Sequence, residues 1–292
     1  MSVTPTPQTI EGISAVAHRY RGVILDLWGV IHNGEATFPH AIAALDELHR
    51  RGVGICLLSN SPRRAEEVAS RLSAMGVESS RYQHLITSGE LVFGTLGGPV
   101  RDSGSPLGRN FLHIGPQELA GLLWGLDRQE VTSPSEADFV LATGMDDRQT
   151  AASLIELLQK CASLKLPMVC ANPDLVVLVG AQMIECAGTL AAAYKAMGGA
   201  VQYYGKPHPA VYQHALDRLG HEKHQVLAVG DALRTDVAGA RNNGLDVVFI
   251  ASGIHRGDLD GDPASNVWSS RLQDMSIALG STPTFAAPYF KW

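Results

Sequence analysis

Cysteine is scarce in this chain: Cys56, Cys161, Cys170 and Cys186 stand far apart among 292 residues. Without C-x-x-C spacing or a Cys/His cluster, neither a disulfide framework nor a zinc site is expected. Cys56 and Cys170 lie inside apolar runs, where a thiol behaves as a small hydrophobe, so the usage suits a reduced, cytoplasmic setting. A basic block is also missing. Lys and Arg total 23 against 29 Asp and Glu, which argues against nucleic acid or an anionic membrane as the main partner. A local basic pocket for a small phosphorylated molecule is compatible with that balance. The opening MSVTPTPQTI has no basic stretch followed by an apolar one and does not read as a secretory signal. The most apolar long window, 175–197, is interrupted by Gln182, Glu185 and Lys195 and reads as core, not as a membrane span. No repeat of solenoid period is visible.

What is present is the patterning of a globular α/β chain, with 45% apolar and 18% charged residues. After a polar arm (1–10) and a short helix around Ile13–Tyr20, Val23-Ile24-Leu25 reads as a strand. Ile42, Leu45 and Leu48 recur at helical spacing, and Gly52 ends that helix. Residues 53–58 form the next strand. Ser61 is expected to cap a helix that opens at Pro62 and stops at Gly76. This βαβα opening predicts a doubly wound parallel sheet. From about residue 88 the rhythm changes: 94–109 reads as a Gly/Ser/Pro loop, and strands at 111–114, 139–142 and 168–170 alternate with helical stretches such as 151–164. The βα pattern then returns, with strands at 226–229 and 247–250. The expected organisation is a core in two parts, 1–87 and 196–292, interrupted by an inserted α/β domain at 88–195. Phe285, Tyr289, Phe290 and Trp292 are expected to pack back on the core.

Chemistry-bearing residues gather where strands end, which is where open parallel sheets bind ligands. Asp26 follows the first strand, Ser59-Asn60-Ser61 the second, and Asp231 the strand at 226–229, while Lys206 precedes a helix opening at Pro209. Together they would place carboxylates, a hydroxyl–amide cluster and an ammonium group around one point. Asp26 and Asp231 can share Mg²⁺, a hard cation that takes oxygen ligands. Lys206 and the metal would neutralise a phosphate, and Ser59, Asn60, Ser61 or the following backbone N–H groups would bond its oxygens. An aspartate beside a phosphate so held can attack phosphorus.

In order and type, LDLWGV, LLSNSP, GKPHP and VGDALRTD resemble the four motifs of the haloacid dehalogenase-like phosphatases. The insert between the second and third motifs is similar to the α/β cap of class IIA, as are Asn172-Pro173-Asp174 and Gly188-Thr189 within it. The resemblance covers about residues 20–255 and implies a Rossmann-like core with an inserted cap. It implies Asp26 as nucleophile, Lys206 as phosphate clamp and Asp231 as metal ligand, with Asp236 a further acidic residue of the metal site. It also brings Asn172 and Thr189 toward the substrate, and it is compatible with a homodimer through the cap.

One position departs from the pattern. Where most members carry a second aspartate that protonates the leaving group, this chain has Trp28. Its backbone carbonyl can still bind Mg²⁺, but indole is a donor that does not titrate. His32, in the turn that follows, is a candidate proton donor, and His208 is expected to orient the loop around Lys206. Asp236 reads alternatively as a residue favouring a helix start. The resulting expectation is a Mg²⁺-dependent phosphatase of a small phosphorylated metabolite. The alternatives are a non-catalytic phosphometabolite-binding or regulatory protein, and a metal-free dehalogenase for which Asp231 and Asp236 would have no evident use.

Overall fold

Short β-branched runs and helical-period stretches alternate along the chain, and the computed structural model arranges them as two parallel sheets, one nested in the sequence of the other. It describes residues 6–97, 107–146, 149–179, 182–259 and 261–292. The first part of the chain runs β1 (Gln8–Thr9), α1 (Ser14–Ala17), β2 (Gly22–Leu25), α2 (Pro39–Arg50), β3 (Gly54–Ser59), α3 (Ala65–Ala74), β4 (His84–Thr87) and α4 (Ser88–Leu96). The middle holds β5 (Asn110–Ile114), β6 (Gln129–Val131), β7 (Phe139–Ala142), α5 (Ile155–Ser163), β8 (Met168–Cys170), β9 (Val176–Val179), β10 (Gln182–Glu185), α6 (Ala187–Ala196) and β11 (Val201–Tyr203). The last part adds α7 (Pro209–Leu219), β12 (Val226–Gly230), α8 (Ala238–Asn242), β13 (Asp246–Ile250), α9 (Asn266–Ala278) and β14 (Phe285–Ala287).

The larger sheet has the order β1-β14-β13-β12-β2-β3-β4, every neighbouring pair parallel. Its central strands are apolar along their length because both faces are covered. Val23, Leu25, Ile55, Leu57, Leu227 and Val229 point to the side of α1, α2 and α3. Their alternates Ile24, Cys56, Leu58, Val226 and Ala228 point to the side of α7, α8 and α9, with Tyr212, Phe249 and Trp268. Chain order runs outward in opposite directions from the β2–β12 pair. The switch point of this doubly wound sheet therefore lies where Asp26 and Asp231 leave it.

The smaller sheet, β11-β8-β7-β5-β6, is parallel throughout and packs α5 and α6 on one face, with Tyr194 fully buried there. Its other face takes Val92 and Leu96 of α4 and Leu122 and Leu123 of a 3-10 turn. Val201–Tyr203 lies past residue 195 yet pairs with β8 of this sheet. Apart from both sheets stands the antiparallel pair β9–β10.

Several sequence expectations need correction. Helix α3 begins at Ala65, not at Pro62, and Ser61 does not cap it: the Ser61 hydroxyl accepts instead from Arg63 N–H at 3.3 Å. The start of α3 is satisfied from outside its own sequence, because Glu90 of α4 accepts from Ala65 N–H (3.1 Å) while pairing with Arg64 (2.7 Å). Residues 94–96, expected as loop, are the last part of α4, and 98–106 lie outside the described residues. The helix expected from 151 forms from Ile155 after a turn. At the C-terminus Phe285 and Phe290 are buried and Trp292 lies under the Arg51 guanidinium (4.6 Å), whereas Tyr289 stays half exposed. The four cysteines are buried and unpaired. Among the described residues no helix is long and apolar enough to cross a membrane.

Leu45, fully buried on the inner face of α2, reports on the larger sheet's core. Leu45→Ala should cost ~2–5 kcal/mol of stability through lost burial and the cavity left behind. Urea denaturation checks this; a cost under about 1 kcal/mol would mean that α2 is not packed as described.

Candidate active site

Register fixes the first two carboxylates. Leu25 pairs with Val229, so Asp26 and Asp231 emerge side by side from β2 and β12, and Asp26 N–H donates to Val229 O at 2.9 Å. Between β12 and α8 the chain makes a single π-helical turn, Leu233–Val237, which turns Asp236 back toward the sheet. There Asp236 accepts from Ala232 N–H at 3.1 Å. Lys206, buried to 3% exposure, brings its ammonium group to 2.6 Å from Asp26 Oδ1 and 2.7 Å from Asp236 Oδ1. Asp231 Oδ2 accepts from Ile254 N–H at 2.7 Å. Gly29, at φ 76°, passes so close to Asp231 that a Cβ there would overlap the carboxylate, so this turn requires glycine.

Lys206 is held by a clamp with no local signal in the sequence. Asn60 Oδ1 accepts from Lys206 N–H (2.7 Å), and Asn60 Nδ2 donates to Lys206 O (3.1 Å) and to Asp174 Oδ1 (2.9 Å). One amide thus fixes the lysine backbone from both sides and ties it to the inserted segment. Ser59 Oγ accepts from Ser61 N–H at 3.2 Å, shaping the turn around Asn60. His208 stacks on Tyr203 of β11 (5.0 Å, 15°) just ahead of α7, on the other side of the Lys206 turn.

The inserted segment contributes a different residue from those expected. Asn172 Oδ1 accepts from Asp174 N–H (3.1 Å) and Thr189 Oγ1 donates to Leu175 O (2.6 Å), so both brace the segment around Asp174. Asp174 itself lines the cavity beside Asp26 and Lys206. Sequence reasoning missed it although it ends the same Asn-Pro-Asp triplet, because the triplet does not show which of its side chains turns inward.

The electrostatics are unbalanced. Four carboxylates (Asp26, Asp174, Asp231, Asp236) surround the Lys206 ammonium group in a poorly solvated place, and Arg256 also lines the cavity. Burial, helped by Asp236 and Asp174 and opposed by Lys206, pushes the Asp26 carboxyl up to about 7. Burial and then Asp26 hold Asp231 well above the usual carboxylate range, and burial also raises Asp174. Burial works against the Lys206 charge, but the carboxylates outweigh it and keep the lysine firmly protonated. Carboxylate oxygens of Asp26, Asp231 and Asp236 lie within 4.8 Å of one another, a donor set suited to a hard divalent cation.

Trp28, Phe38 and Val176–Leu178 line the same cavity of about 70 Å³ as the carboxylates. The Trp28 indole N–H donates to Leu178 O of β9 at 2.7 Å. His32 stands behind the indole, edge-on at 5.1 Å, and is not among the residues lining the cavity. Its Nδ1 accepts from Gly34 N–H (3.0 Å), and burial lowers its pKa to about 4, so the ring is neutral near pH 7.

Comparison with known proteins identifies the family. The model for haloacid dehalogenase-like hydrolases matches residues 23–123, and a HAD-hydrolase-like model matches 203–270. A crystal structure of a haloacid dehalogenase-like family hydrolase from Brucella suis 1330 superposes with a TM-score of 0.81 at 34% identity. That match covers 96% of this chain and 99% of that one. Chronophin from Mus musculus is 29% identical over 80% of this chain and 82% of its own length. An acid sugar phosphatase from Staphylococcus haemolyticus is 26% identical over 80% of this chain and 86% of its own. The chain belongs to the haloacid dehalogenase-like hydrolase family and carries an inserted α/β cap between the two parts of its core.

Proposed function

We propose that the protein is a Mg²⁺-dependent phosphatase of a small phosphorylated metabolite, acting through an aspartyl-phosphate on Asp26. The observation that carries this reading is the buried Lys206 ammonium group between Asp26 and Asp236, beside Asp231, at the switch point of the sheet. Lys206 orients the Asp26 carboxylate and is placed to hold phosphate oxygens, with Ser59 and Ser61 near the same strand end. An Asp26 oxygen attacks phosphorus, and the bond from phosphorus to the leaving oxygen breaks. Water then attacks phosphorus, restoring the carboxylate and releasing inorganic phosphate. Asp26, Asp231 and the Trp28 carbonyl would hold Mg²⁺, with Asp236 supporting them, and the ion would supply the positive charge that four carboxylates and a phosphate lack.

Trp28 leaves the departing oxygen without a titrating partner at the position that the family resemblance assigns to an aspartate. General acid help typically contributes ~10²–10⁴-fold, so esters of poor leaving groups should turn over slowly. The relatives named as phosphatases support turnover over the binding-only alternative. Asp231 and Asp236, which metal-free dehalogenation would not use, speak against that reading.

Metal and proton should compete. In the ion-free protein the Asp26 pKa is raised from 3.8 to about 7, so its contribution to stability is full below about pH 4 and is lost as pH rises through about 7. A divalent cation replaces the proton. The rise in Tm on adding Mg²⁺ should therefore be small at about pH 5 and large at about pH 8. Asp26→Asn should weaken this dependence without abolishing it, because Asp231 is raised as well. An increment independent of pH in the wild type would contradict it.

Trp28→Asp, assayed with Mg²⁺ against an Asp26→Asn control that should be inactive, tests the leaving-group argument. Alkyl phosphates should gain at least about tenfold in kcat/KM, and aryl phosphates, whose leaving oxygens need little protonation, much less. Equal gains for both, or activity in Asp26→Asn, would overturn the mechanism.

A further inference from the structure

The hairpin β9–β10 has little packing of its own. Val176–Val179 are only half-buried, Met183 and Ile184 are 57% and 40% exposed, and none of these belongs to a core cluster. It has no third strand among the described residues. Such elements sit at the low end of local stability, where a single well-formed hydrogen bond weighs heavily. Trp28 supplies one, at 2.7 Å and across 150 residues of sequence.

The indole is seated, not merely adjacent. His32 meets it edge-on, the backbone of His32 bridges to Trp28 and Thr37, and Gly34, at φ 93°, approaches so closely that a Cβ would overlap the ring. Trp28 is therefore fixed from the core side while its only side-chain donor points to the hairpin. Beside that bond, Val176 and Val177 form an apolar wall of the cavity together with Phe38 and the indole itself, while Asn33, Ser252 and Arg256 also line it.

We infer that Trp28 is a specificity-determining positioning residue: its indole N–H holds β9 over the cavity, so that the group attached to phosphorus meets an apolar wall. The preferred ligands are small phosphoryl compounds whose substituent has an apolar face, ahead of polyol phosphates. The ligand class rests on the phosphatase reading of the cavity, but the tie to the hairpin does not.

Trp28→Phe keeps an aromatic ring and the backbone carbonyl and removes the donor. Hydrogen exchange at β9 and β10 should become about tenfold faster, the size expected for one net hydrogen bond, while β12 is unchanged. Calorimetry with Mg²⁺ should show the wild type binding phenylphosphonate more tightly than inorganic phosphate, and the variant losing about tenfold of that preference. Gly34→Ala, whose Cβ would displace the ring with its N–H intact, should reproduce both effects. Unchanged exchange in the hairpin, or an unchanged preference, in Trp28→Phe overturns the inference. Neither arm reads hydrolysis, so an enzyme that fails to turn over would sink the proposed activity while leaving the role of Trp28 in the hairpin to be decided by exchange and binding.

Discussion

A single ammonium group, placed where a doubly wound sheet reverses its order, organises this structure. Lys206 can be buried only because Asp26 and Asp236 meet it at 2.6 and 2.7 Å, and because Asn60 holds its backbone on both sides. A buried charge without partners would cost several kcal/mol. The pairing in turn dictates backbone shape: the π-helical turn that aims Asp236 inward and the glycine that lets the first turn pass against Asp231 both serve it. The carboxylates outnumber the lysine and Arg256 together, and burial raises Asp26, Asp231 and Asp174 toward their protonated forms. That surplus is what supports the proposed metal-assisted phosphoryl chemistry.

The inserted cap participates at two points of different character. Asp174 reaches the charged side of the cavity through Asn60, and Leu178 reaches the apolar side through Trp28. The first contact binds polar groups in a buried network; the second is a hydrogen bond to a hairpin that is otherwise half exposed. Position 28 is thereby tied, through its side chain, to the hairpin that walls the cavity.

Much of this is legible in the sequence because the larger sheet is buried on both faces. Continuous apolar runs mark its strands, and a charged residue at the end of such a run, as with Asp26 and Asp231, stands out. Long-range polar contacts are not legible. Asn60 grips a backbone 146 residues away, and nothing in Ser59-Asn60-Ser61 distinguishes that role from contact with a phosphate. The start of α3 is displaced from its expected place for a similar reason: Ser61 and Pro62 form a plausible local cap, but the N-terminus is satisfied by Glu90 from another helix. Asp174 and the indole bond of Trp28 depend on how the cap folds over the core, which local patterning does not encode.

The central claim is that Asp26, set in place by Lys206, carries the phosphoryl group. Rapid quenching of the protein with Mg²⁺ and an aryl phosphate, followed by mass spectrometry of the peptide containing Asp26, tests it most directly. A phosphoryl group on Asp26 should appear before steady-state product and disappear once the ester is exhausted. Product formed with no such adduct, or an adduct on another residue, would contradict it.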